Sequence, residues 1–365
     1  MAESTEPASS ASSGGGAPQY VDWAFAKATG RRLVNPGPVV STQEAADIVG
    51  LLRQVAVAAR EPIATTSRLT SPDGVGPVLI VDRPGWIDAN VDSLQSLMGP
   101  VIAKVAAGAK NSQSPAVTAI GSKVTGAEAG ALMSFLASKV LGQYDLAPQG
   151  APRLLLVAPN IVQTERELEV DPQDFRLWVA MHEETHRVQF TAVPWLRDHL
   201  VLRTRELSTD LAPTPSELAD RIQEIARRLP QAFQPGSQGL GEVFLTPVQK
   251  EQVAQITAVM SLLEGHADVM MDDVGPLVIP TVAEIREKFQ KRRGGVGTLD
   301  RLIRRVLGLE AKMRQYRDGA AFVRGVVERV GLDDFNAVWT SPKTLPTPEE
   351  IARPAAWIER VHGRS

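Results

Sequence analysis

Asp171-Pro172-Gln173-Asp174-Phe175-Arg176-Leu177-Trp178-Val179-Ala180-Met181-His182-Glu183-Glu184-Thr185-His186-Arg187-Val188-Gln189-Phe190-Thr191 is the stretch from which the rest of the chain is read. It opens on aspartate followed by proline, the signature of an N-cap and a first helical position. It ends before Pro194. Phe175, Leu177, Trp178, Val179, Met181, Val188 and Phe190 leave a narrow polar stripe of Arg176, Ala180, Glu184 and Arg187 at helical spacing. A helix patterned this way is expected to be largely buried. Inside it lies His-Glu-x-x-His. Residues four apart share a helix face, so His182 and His186 can both offer an imidazole nitrogen to one divalent cation. Glu183, rotated by about 100°, is placed to act as general base on an attacking water. Two imidazoles and a carboxylate on an apolar flank are costly without a partner, and a metal supplies one.

A second helix decides how the first is read. Thr246-Pro247 repeats the N-cap and proline signal, and the helix it opens is predicted to end near Asp273, with Gly275-Pro276 as the stop. It carries Glu264-Gly265-His266-Ala267-Asp268. Glu264 and Asp268 share a face, whereas His266 lies about 200° round from Glu264. Glu-x-x-x-Asp is the spacing by which glutamate-type zinc sites supply a third ligand (the Glu) and a carboxylate (the Asp) that holds a ligand histidine by its other ring nitrogen.

Around these two helices the chain alternates helical and short extended signals. Ser41 and Glu44 have capping-box spacing and open a helix to about Arg60. Gly76 to Pro84 reads as a strand, as does Arg153 to Val162, cut by Pro159. Trp86 to Ala107 and Thr125 to Leu141 read as helices, Pro213 to Pro235 as an exposed polar helix, and Thr298 to Val330 as the last long one. The expected class is mainly α with α+β character, a small sheet packing on the helix that carries the histidines. The expected organisation is a disordered tail over 1–18, an α+β part over 19–170, a metal-binding helical part over 171–340 and a Pro-rich tail over 341–365. The two ordered parts are compatible with one compact unit.

Composition narrows the partners. The 365 residues are 43% hydrophobic and 22% charged, a balance that supports a large core. A net charge of −3 gives no reason to expect a nucleic acid or an anionic membrane. Cysteine is absent, so disulfides are excluded and a metal must be held by nitrogen and oxygen. No run reaches the roughly 18 apolar residues of a membrane span, and a cytoplasmic location is expected.

The chain resembles the zincin-like hydrolase and zinc-dependent metalloprotease family of actinobacteria and Chloroflexi, part of which is associated with biosynthesis of a deazaflavin cofactor. The resemblance rests on Met181 to Phe190, Val193-Pro194-Trp195-Leu196, Leu263 to Asp268 and Gln315-Tyr316-Arg317-Asp318-Gly319. It implies a zincin-like fold with Zn2+ on His182, His186 and Glu264, Glu183 as general base and Asp268 as the orienter of a ligand histidine. Attack on an amide or ester would create an oxyanion needing a donor, for which His266 and Tyr316 are the candidates. The implied substrate is a peptide or another amide. The stretch between His186 and Glu264 is longer than in many glutamate-type zincins, an insertion able to form a lid or a wall. Two functions stay open: a zinc-dependent, peptidase-like hydrolase, and a catalytically silent scaffold that binds a partner.

Overall fold

Asp171 accepts a hydrogen bond from the Asp174 amide and Pro172 occupies the first turn, so the central helix begins where the sequence places it. In the computed structural model, which describes residues 20–72, 76–108, 115–146, 150–211, 245–294 and 309–363, this helix, α7, spans Pro172–Thr191. Side chains of 104–108, 115–117, 293–294 and 309–317 lie outside that description. Before α7 come α1 (Trp23–Leu33), α2 (Thr42–Ala58), α3 (Arg60–Ser67), β1 (Val78–Val81), α4 (Arg83–Gly108), α5 (Pro115–Ala137), β2 (Gly142–Asp145), β3 (Arg153–Val157) and α6 (Ala158–Leu168). After it come α8 (Pro194–Leu211), α9 (Pro247–Val278), α10 (Val282–Gly294), α11 (Leu309–Phe335), α12 (Pro348–Ala352) and α13 (Pro354–His362). The mainly α class with a small sheet is what the structure has.

The sheet order is β1-β3-β2, with β1 parallel and β2 antiparallel to β3. Alternation along β3 feeds two cores, since successive strand residues face opposite ways. Leu155 and Val157 join Trp23, Trp86, Ile87 and Met133 of α1, α4 and α5. Leu156 joins the larger core, which runs from Ile48 and Leu52 of α2 through Phe175 and Met181 of α7 to Leu262 of α9 and Phe322 of α11. That larger core crosses from the 19–170 segment into the 171–340 segment.

Four local expectations differ from what is observed. Pro159 sits in the first turn of α6, so the expected strand ends at Val157 and buried Ile161 and Val162 are helical. The Gly142–Asp145 strand goes unseen in the sequence because Gly-Gln-Tyr-Asp has neither an apolar run nor clean alternation; its partner strand recruits it. Helix α9 continues past the Gly275-Pro276 stop to Val278. Proline in a last turn forfeits one amide bond, and Ile279 still donates to the Gly275 carbonyl. The segment expected as a Pro-rich tail instead folds back as α12 and α13, with Trp357 fully buried and Arg360 paired to Glu350. Its prolines open helices at Pro348 and Pro354, where a missing amide costs nothing. The expected 1–18 tail and the 213–235 helix lie outside the described residues.

Candidate metal centre

Helix α7 presents His182 and His186 from successive turns, their rings edge to face at 4.9 Å. Helix α9 delivers Glu264 opposite them, its Oε2 lying 3.7 Å from His182 Nε2 and 3.6 Å from His186 Nε2. Among the described residues these three form the group able to hold a metal. The spacing suits a cation rather than direct hydrogen bonds. Ligands about 2.0–2.1 Å from a tetrahedral zinc stand roughly 3.3–3.4 Å apart, close to the observed separations, whereas a charge-assisted hydrogen bond would close to about 2.8 Å.

The approach of α9 is set by glycine. A Cβ on Gly265 would lie 2.5 Å from the Gly319 carbonyl oxygen, and one on Gly319 would strike the Ser261 backbone. Helices α9 and α11 therefore meet backbone to backbone beside Glu264. On α7, Trp178 stacks at 6.4 Å against His182 and meets Phe289 of α10 edge on at 4.9 Å, which braces the first imidazole.

Two adjacent glutamates have opposite fates. Glu184, expected on the polar stripe, is buried at 2% exposure and held by Arg187, whose Nε donates at 2.6 Å. Arg176, from the same stripe, is buried against Glu165 with Nε donating at 2.9 Å. The charged members of the stripe thus form interior ion pairs, Arg176 with Glu165 of α6 and Glu184 with Arg187 within α7; removing one partner of such a pair costs about 3–5 kcal/mol. Glu183 is also buried but makes no ion pair among the described residues, and it lies against Gly142 of β2. Burial pushes the Glu183 carboxyl up, opposed by the His182 and His186 charges. Burial also raises Glu264, but the two histidines outweigh it and hold this carboxyl well below the usual range. Burial works against a charged His186, yet the Glu264 and Glu183 carboxylates prevail and raise it to about 9.

A Cβ on Gly142 would sit 2.5 Å from Glu183 Cγ and 2.6 Å from its Cδ. The backbone there is ordinary strand, so Gly142→Ala is expected to fold and to keep its metal while displacing the carboxyl. We expect kcat to fall by about tenfold to a hundredfold, in keeping with small misplacements of catalytic groups. Steady-state kinetics beside metal analysis checks this; unchanged kcat would detach Gly142 from the site.

The remaining sequence candidates separate. Asp268 is half-buried, and its carboxylate opposes the lowering of Arg286 by burial. Among the described residues no hydrogen bond joins it to either imidazole, and His186 Nδ1 meets Gln189 instead at 3.0 Å, three residues along the same helix. His266 is sealed at 0% exposure, stacked on Phe335 and edge on to Trp339, with Nδ1 2.9 Å from Gln189 Nε2. It is brought near His186 only through that amide, and burial, aided by the charge of His186, pushes its pKa down to about 3. The Tyr316 side chain lies outside the described residues. Sequence reading missed Gln189 and Gly142. Gln189 was within the quoted motif, one turn beyond His186, and that spacing was its only signal.

Two imidazoles and a carboxylate thus converge beside a buried glutamate that has no ion pair among the described residues. The profile of the zincin-like metallopeptidase family matches residues 21–358, and the chain belongs to that family. A crystal structure of a candidate hydrolase with a novel fold from Chloroflexus aurantiacus is similar to it, with 28% identity and a TM-score of 0.67, over 94% of this chain and 100% of that one. No curated protein matches. Family and neighbour together support hydrolase activity and imply a metal. No helix among the described residues is long and apolar enough to cross a membrane.

Proposed function

We propose that this protein is a zinc-dependent hydrolase of peptide-like amides, with His182, His186 and Glu264 as ligands and Glu183 as general base. The observation that carries the reading is the contrast along α7. Arg176, Glu184 and Arg187 are buried in ion pairs, whereas Glu183 is buried beside the metal donors without one among the described residues. A structural site has no use for such a group. The donors also keep 22%, 14% and 19% side-chain exposure, so the site stays open to small molecules, whereas structural zinc is usually closed by four protein ligands.

Zinc held there supplies Lewis acidity that makes a water nucleophilic near neutral pH. Glu183, buried beside the donors, is placed to accept the proton of the attacking water and then deliver it to the leaving nitrogen. Trp178 and Phe289 keep the flank of His182 apolar, strengthening electrostatic interactions in the site. Strand β2 lies at the sheet edge, half-exposed over Gly142 to Tyr144, and touches Glu183 at Gly142. An extended peptide adding to that edge would bring an amide to the carboxylate. His266 is too enclosed to donate to an oxyanion, which leaves Tyr316 as the assigned donor.

Incubating the full chain with a degenerate peptide library and reading products by mass spectrometry tests the proposal. Cleavage is expected, lost on chelation and restored by zinc. A library left intact by zinc-loaded protein overturns the peptide reading.

A further inference from the structure

Gln189 is the side chain that ties the two halves of the metal centre together. It is fully buried, and its amide makes three bonds. Oε1 faces His186 Nδ1 at 3.0 Å, while Nε2 faces the Leu263 carbonyl at 2.9 Å and His266 Nδ1 at 2.9 Å. The orientation of an amide is ordinarily an assignment, but here chemistry removes the choice. The Leu263 carbonyl can only accept, so the nitrogen of Gln189 must face it and the oxygen must face His186. That oxygen can only accept, so His186 carries hydrogen on Nδ1, which leaves Nε2 as the atom available to a bound metal. The second hydrogen of the amide goes to His266, whose Nδ1 therefore bears none.

We propose that Gln189 is the positioning residue of the metal centre, fixing the tautomer and ring orientation of His186 while anchoring the backbone beside Glu264. The inference rests on the metal reading above. One amide thereby sets two of the three ligands, because Leu263 immediately precedes Glu264. A carboxylate, the more frequent partner of a ligand histidine, could accept from His186 but could not donate to Leu263 or His266. Glutamine satisfies all three demands. His266, which cannot reach the metal, supplies the acceptor that keeps the amide from turning.

The test measures zinc affinity of the full-length protein by competition with a chelating dye, for wild type, Q189M and Q189E. Methionine fills the same space without polar atoms. It is expected to weaken zinc binding about 10–100-fold, the range for lost outer partners of metal ligands. Glutamate restores the acceptor and is expected to recover part of that loss. Equal affinity in wild type and Q189M overturns the proposal, and so does equal loss in Q189M and Q189E, which would mark a merely structural role. A wild type that takes up no zinc overturns the metal reading with it, and is distinguishable because the variants then have nothing to lose. Should the variants fail to fold, long-range 1H–15N spectra of the zinc-loaded wild type decide. They are expected to show His186 protonated on Nδ1 and His266 on Nε2; a proton on His266 Nδ1 overturns the proposal.

Discussion

Glu183→Gln is expected to bind zinc with wild-type stoichiometry and to melt near the wild-type temperature, while kcat on a cleaved peptide drops about 10²–10⁴-fold, the usual worth of a general base. The substitution preserves shape against Gly142, and because Glu183 has no ion pair to a lysine or arginine among the described residues it breaks no buried salt bridge. Its neighbour provides the control. Glu184→Gln breaks the buried pair with Arg187 and is expected to cost about 3–5 kcal/mol of stability. The two adjacent glutamates should thus separate catalysis from folding. Melting curves, metal content and kinetics on both variants read the difference. Full activity in Glu183→Gln would remove the mechanism, leaving the metal assignment intact.

Gly265→Ala is expected to act through packing. The added methyl meets backbone of α11, which cannot swing aside as a flexible side chain would, so the helices must part. Overpacking of this kind costs about 1–3 kcal/mol and sometimes more, against the roughly 0.5–1 kcal/mol that alanine returns in a helix. The net effect is destabilising, and the parting moves Glu264, so zinc affinity falls as well. Gly50→Ala on α2, where nothing lies within 4 Å of the new methyl, should show only the gain. Denaturant melts and zinc titration of both variants test the contrast. A Gly265→Ala protein as stable and as tight for zinc as wild type would mean that the glycine contact does not set the position of Glu264.

Much of the site was legible because helix periodicity is a strong local rule. The i, i+4 pairs and the proline-marked starts at Pro172 and Pro247 placed His182, His186 and Glu264 before any fold was known. What the periodicity did not show was where the charges of the polar stripe find partners. Arg176, Glu184 and Arg187 have the spacing of an exposed stripe, yet each has a buried partner, and pairing within the interior is invisible to a one-dimensional pattern. The Pro-rich C-terminus failed for a related reason, since proline opens a helix as readily as it prevents one.

The family resemblance pointed to Asp268 as the partner of a ligand histidine, whereas the structure gives that contact on His186 to Gln189. Both readings respect helical spacing. Which polar group meets a ring depends on the distance and tilt between α7 and α9, and that tilt comes from glycine contacts with α11. The sequence by itself determined the donor types, their faces and the absence of sulfur chemistry, because these follow from residue identity and the helical repeat. Only the tertiary structure decided which glutamate is ion-paired among the described residues, what anchors the Gln189 amide that meets His186 and how close Glu264 comes, because those depend on packing between separate elements.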